Sequence, residues 1–333
     1  MGYELKRFDN DVFRIVDLYQ SIPADEKWVL TTGKVVNDEM EKLAKSSSYE
    51  HPVHSVILGP TDHVWADYFT KEELNEIKKI HQKALPKIPE EFSDYLDKYE
   101  NDWKSEEELY LFADAQVHNP ITEFTKKWVR ESVVRASELF LYDDTLVLNN
   151  YSESDLLHEV WLFVYRIFKD KSIRAALGER ASVAVALGRN DDRKLEVIDK
   201  RARKNVGAKV DILFKICNNE LGSREVGRDN VTTVDDKYFD DGLIKLPKTL
   251  RDMLSLVILD CPVGNHITRV SRTRKLDFPS TISTISLDLI PLLEIAWKGK
   301  EAMMKIIETL NNRKRKIADL VDIDEEEKTC LSA

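Results

Sequence analysis

The chain has 333 residues, 42% hydrophobic and 33% charged, with a formal net charge of −10. That mixture excludes an intrinsically disordered chain, and the length allows two domains or one domain with a large helical extension. The acidic balance gives no overall attraction to polyanions, so any contact with phosphate must come from a local basic face.

The opening segment MGYELKRFDNDVF carries charges throughout and has no apolar signal core. No stretch is apolar for long enough to cross a bilayer, which predicts an intracellular protein without a membrane span, cytoplasmic or nuclear. Up to about residue 145 the chain reads as mainly helical, punctuated by Pro23, Pro52, Pro60, Pro86, Pro89 and Pro120. Spaced apolar residues predict helices over Leu74–Leu85, with Ile77 and Ile80, and over Phe124–Leu139, with Trp128, Val129 and Val133. A short strand is expected at Val53–Leu58. His51 and His54 stand three apart with no further histidine or cysteine nearby, which reads as loop histidines rather than metal ligands.

Character changes near Asn149–Tyr151. A helix is expected from Glu153 to about Lys169, capped by Ser152 with Asp155 three residues on. Leu156, Leu157, Val160, Trp161, Val164, Ile167 and Phe168 share one broad face, with Glu153 near its middle. Ala181–Leu187 reads as a strand. A basic stretch with Lys200, Arg201, Arg203 and Lys204 follows. In the next strand, 210–216, Val210, Ile212, Phe214 and Ile216 alternate to one face, and Asp211, Leu213 and Lys215 take the other. Asn218-Asn219 and Gly222 mark a turn, and Ser223–Gly227 is the expected return strand. A helix after Thr249, a β-rich segment at 264–276 and a long helix from about Leu287 to Leu320 complete the pattern.

Cys217, Cys261 and Cys330 are far apart, which disfavours both a disulfide framework and a structural zinc site. The terminal Cys330-Leu331-Ser332-Ala333 fits the loose prenylation pattern, although Ser332 matches the aliphatic position poorly. The upstream run Arg313–Lys316 also matches a nuclear-import signal. A solvated charged helix face is the reading with most weight for that run.

Glu153 on a helix face, Asp211 on a core strand and Glu225 on its neighbour form the one constellation with chemistry. Clustered carboxylates suit a hard cation such as Mg²⁺ or Mn²⁺, which polarises a phosphate and lowers the pKa of its water. Lys200, Arg201, Arg203 and Lys204 are placed in sequence to hold a DNA or RNA backbone. The plain alternatives stand beside these readings: Glu153 favouring its helix N-terminus, Asp211 capping a turn or pairing with Lys209, and Glu225 pairing with Arg201 or Arg224. For Glu220 a surface turn outweighs a ligand role.

The segments SESDLLHEVWLF, DRKLEVIDKRARKNVGAKVDILF, NELGSREVGR and LDCPVGNHITRVSRTRKLDFPSTI resemble an expanded family of fungal proteins with a PD-(D/E)XK nuclease-like fold. A looser likeness runs from about Trp28 to Leu310. The resemblance implies an α/β (α+β) fold: a mainly helical N-terminal region over 1–148, then an αβββαβ core with a small mixed sheet over 149–322. That core includes the long C-terminal helix and is followed by an acidic flexible tail over 323–333. It also implies a Mg²⁺-dependent nuclease with Glu153, Asp211 and Glu225 as metal ligands. The motif departs from the family pattern, because Gly227 stands where Glu-x-Lys would place lysine. Lys215, on the Asp211 face, is the candidate catalytic substitute, with Arg228 and Lys209 weaker. A catalytically inactive protein that keeps the fold to bind nucleic acid or a protein partner is the alternative.

Overall fold

The computed structural model describes residues 12–80, 82–141, 151–170, 173–190, 205–226, 242, 244–258, 267–274 and 276–330, with side chains from 15 to 312. The first described elements are α1 (Val12–Gln20), α2 (Val36–Ser46), β1 (Ile57–Leu58), α3 (Lys71–Lys79), α4 (Glu90–Asp97), α5 (Glu106–Asp114) and α6 (Phe124–Leu141). There follow α7 (Glu153–Asp155), α8 (Leu162–Arg166), β2 (Arg174–Ala181), α9 (Val183–Arg189), β3 (Lys209–Ile216) and β4 (Asn219–Arg224). The last are α10 (Leu246–Ile258), β5 (Thr268–Arg269) and α11 (Ile285–Cys330). The protein is therefore mixed α+β, as expected.

Contacts divide the chain differently from a boundary at 148/149. Met1–Ala84 and Ala176–Lys275 form one compact unit, and Leu85–Ala175 with Leu276–Ala333 form the other. Both units are discontinuous, so no single sequence boundary separates them.

In the first unit, α2 buries Val36, Met40, Leu43 and Ala44, whose spacing puts them on one helical face. They join Ile15, Tyr19, Trp28, Leu58, Trp65 and Ile77 in a common core. Helix α3 starts on a capping box: Thr70 Oγ1 accepts from the Glu73 amide, and Glu73 accepts from the Thr70 amide. It ends at Lys79, six residues before the expected end, because Ile80 turns extended. At Val53–Leu58, Pro52–Ser55 form a 3-10 turn and only Ile57–Leu58 pair, parallel to β5. His51 and His54 serve this turn. His51 Nδ1 accepts from the Val53 amide and its Nε2 meets Asp62, while His54 accepts from the His51 amide and its Nε2 meets the Ala44 carbonyl.

The unit's second sheet has the order β2-β3-β4. Strands β3 and β4 are antiparallel, joined at Cys217-Asn218, with a bulge between Phe214 and Lys215. The expected return strand at 223–227 thus lies about four residues early, at Asn219–Arg224. Two further expectations are corrected. Ala181–Leu187 is not a strand: the strand is Arg174–Ala181, and Val183–Arg189 is helical. The 264–276 segment contributes only Thr268–Arg269, which pairs with β1 outside the three-stranded sheet. Residues Ala184, Val210, Leu213 and Met253 form a small core between this sheet and helices α9 and α10.

In the second unit, α6 buries Trp128, Val129, Ser132, Val133, Ala136, Ser137 and Phe140. Trp128 Nε1 donates to the Phe163 carbonyl at 2.9 Å, which ties α6 to α8. The continuous helix expected over 153–169 is divided. Ser152 and Asp155 form the expected cap, but Leu156–Val160 widens into a π turn closed by the Trp161 amide on the Leu156 carbonyl. The apolar face is nonetheless buried at Leu156, Leu157, Val160, Val164, Ile167 and Phe168. Helix α11 continues to Cys330, so residues 323–330 extend a helix instead of forming a flexible tail.

Candidate functional site

The β3–β4 hairpin carries two of the predicted acids. Ile212 faces Arg224 in the ladder, and carrying that register one residue outward sets Asp211 opposite Glu225. Both are half-buried. Asp211 Oδ2 accepts a 2.7 Å hydrogen bond from the Val226 amide, which closes the strand end. Glu225 Oε1 lies 3.0 Å from Lys245 Nζ, with the glutamate side chain only 12% exposed. Neighbouring Arg224 is half-buried, and desolvation lowers its pKa to about 10, which leaves it charged at neutral pH.

The face that Asp211 shares with Leu213 is not an open cleft. Leu213 is packed with Ala184 and Met253 from α9 and α10. Val210 and Ile212 are buried and Asp211 is half-buried, as the alternation predicts, but the opposite face is also covered at Leu213, so β3 is buried on both faces in its middle.

Lys215 is four residues from Asp211, about 13 Å along an extended strand. It sits opposite Glu220 beside the bulge. Among the described residues the lysine paired with Glu225 is Lys245, whereas Lys215 was the expected substitute for the motif lysine. Nothing in the sequence marks Lys245, which follows Glu225 by about twenty residues and reads as a solvated lysine before α10. Lys209 pairs with Glu179 at 2.7 Å.

Glu220, expected on a surface turn, is 7% exposed and caps α9 from β4. Its oxygens accept from Ser182 Oγ at 2.6 Å, the Val183 amide at 2.8 Å and the Ala184 amide at 3.2 Å. Ser182 Oγ in turn accepts from the Val185 amide. This is the sequence signal that the strand reading of 181–187 overlooked: a serine standing three residues before Val185.

Glu153, the first residue of α7, belongs to the second unit, whereas Asp211 and Glu225 belong to the first. Lys200, Arg201, Arg203 and Lys204, together with Gly227 and Arg228, lie outside the described residues. Among the described residues no group of three or more His, Cys, Asp or Glu side chains is arranged to hold a metal ion. The first unit offers Asp211 and Glu225 as oxygen donors, and any Mg²⁺ drawn to them has to compete with the Lys245 ammonium already on Glu225.

No family model, curated protein or solved structure matches the chain. No described helix is long and apolar enough to cross a membrane.

Proposed function

We propose that this chain is a nucleic-acid-binding protein built on a nuclease-like α+β core, in which the hairpin acids hold the fold instead of cutting phosphodiesters. The observation that carries this reading is the Lys245–Glu225 ion pair. A carboxylate 3.0 Å from an ammonium and mostly removed from water is already neutralised, and displacing that ammonium costs a metal ion binding energy. Asp211 is likewise committed to the Val226 amide. The absence of a lysine at Gly227 points the same way. DNA or RNA is the ligand class that the basic segments and the family resemblance suggest.

The test is incubation of the purified protein with Mg²⁺ or Mn²⁺ and single- and double-stranded DNA and RNA. No cleavage is expected, with binding that weakens as salt rises. Metal-dependent cleavage would overturn the reading.

A second reading is favoured by one feature: Asp211 and Glu225 each adjoin the Ile212–Arg224 pair at the same end of the hairpin, and Lys245 lies on Glu225. In a Mg²⁺-dependent hydrolase these would be two ligands and the charge-stabilising cation. The discriminating variant is Asp211→Asn. A hydrolase would lose cleavage and metal affinity, because a neutral amide is a poor Mg²⁺ ligand. In the binding reading the same change lowers stability by roughly 1 kcal/mol, since the charge-assisted bond to Val226 becomes a neutral one. Chemical denaturation of both proteins reads this.

A further inference from the structure

The first unit has a pocket of about 350 Å³ that the hairpin does not touch. It is lined by Pro60, Thr61, Asn75, Lys78, Lys79, Gln82, Ser271 and Arg272. We propose that this pocket binds phosphate groups, and specifically the backbone of a single-stranded nucleic acid; the choice of nucleic acid rests on the function proposed above.

Its chemistry is one-sided. Three side chains are cationic, four are neutral hydrogen-bonding groups, and none is acidic. Among the described residues Lys78 and Lys79 form no ion pair, and the guanidinium of Arg272 makes only a long bond of 3.4 Å to the Gly242 carbonyl. Cationic side chains gathered around one depression with no carboxylate in its lining repel one another, and a bound anion relieves that repulsion. Asn75, Gln82, Thr61 and Ser271 line the same depression and bear side chains able to donate hydrogen bonds to phosphate oxygens. The pocket is an open surface depression whose lining, apart from Pro60, is exposed, which suits a chain laid across it rather than an enclosed small ligand.

The lysines alone would have a simpler explanation, since cations at a helix C-terminus complement the macrodipole. Two features go beyond it. Arg272 comes from the segment after β5, far from α3 in sequence, yet lines the same pocket. The end of α3 is also already neutralised by Arg269, whose Nη1 donates to the Ile77 carbonyl at 2.8 Å, to Lys78 at 3.3 Å and to Ile80. With those carbonyls occupied, the negative helix end no longer repels an anion.

The experiment uses the full chain and a fluorescein-labelled oligo(dT) in anisotropy titrations at several KCl concentrations. Lys78→Gln/Lys79→Gln and Arg272→Gln are compared with Lys71→Gln, an exposed lysine at the start of α3 that does not line the pocket. Wild type should bind with log K falling linearly in log salt, and each pocket cation removed should flatten the slope by about 0.7. The double variant should bind about tenfold more weakly at fixed salt, with Lys71→Gln unchanged. Oligonucleotide binding that is equally strong and salt-dependent in every variant would sink the pocket while leaving the binding function intact. A parallel arm measures thermal stabilisation by ATP and by inorganic phosphate. If these stabilise wild type but not the double variant, and oligo(dT) fails to bind, the pocket is a phosphate site for a small ligand and the nucleic-acid function falls. If neither oligo(dT) nor phosphate has an effect, both are refuted.

Discussion

Gly207 sits where the backbone of Ser182 passes. A Cβ built there would lie 1.7 Å from the Ser182 carbonyl oxygen and 3.2 Å from the Ala186 nitrogen. No flexible side-chain end can yield, so the entry to β3 or the start of α9 must move. The Ser182 amide also donates to the Ala208 carbonyl at 2.9 Å, which fixes the two segments side by side. Gly207→Ala is expected to cost roughly 1–3 kcal/mol, read as a lower midpoint in urea without a change in slope. Glu73 gives a pH-dependent counterpart. Its hydrogen bond from Lys34, then the Thr70 amide and Thr32, hold its pKa down to about 2 from an ordinary 4.5. A depressed carboxylate contributes stability above its unfolded pKa and loses it as pH falls through the folded one. Glu73→Gln should therefore be destabilising by roughly 1–3 kcal/mol at pH 7, and the gap to wild type should narrow from about pH 5 toward pH 2. A gap that stays constant over that range would show that the ionised form is not the source.

At the scale of elements, two side chains join pieces that are distant in sequence. Arg269 in β5 covers the carbonyls at the end of α3, so Arg269→Ala leaves Ile77, Lys78 and Ile80 without that donor. The expected loss is roughly 1–3 kcal/mol, with faster amide exchange in α3 and at the β1–β5 pair. In the second unit, Lys300 of α11 is 2% exposed and bonds both oxygens of Asp170 at 2.7 and 2.8 Å, with its Nζ 5.3 Å from the Phe124 ring centroid. Removing either residue takes the ion pair from the other, and the two cases differ. Asp170 is 20% exposed and can recover water, whereas Lys300 cannot. Asp170→Ala should thus approach the 3–5 kcal/mol typical of a broken buried pair (about 3 kcal/mol or more), and Lys300→Met should cost less. Equal losses in thermal unfolding would contradict this account.

At the scale of the whole molecule, the sequence alone determined the elements whose information is local. The α6 face, the Ser152–Asp155 cap, the β3 strand and the existence of an antiparallel return, though not its bounds, follow from apolar spacing and short-range capping, which act within a few residues. The mixed α+β class follows from those elements together. Tertiary structure decided what depends on distant partners. Residues 183–189 are helical although Val and Ala alternate, because Glu220 takes the Val183 and Ala184 amides from another strand. The pairing of β5 with β1 and the interleaving of two discontinuous units join segments about two hundred residues apart, which no periodicity records. The candidate site divides along the same line. The strand that carries Asp211 was legible from local alternation, whereas the return strand ends at Arg224, one residue short of Glu225. Lys245 beside Glu225, Leu213 beneath α10 and the cationic pocket around Arg272 arise only when helices pack on strands, since the energy of an ion pair or a buried contact depends on distance in space.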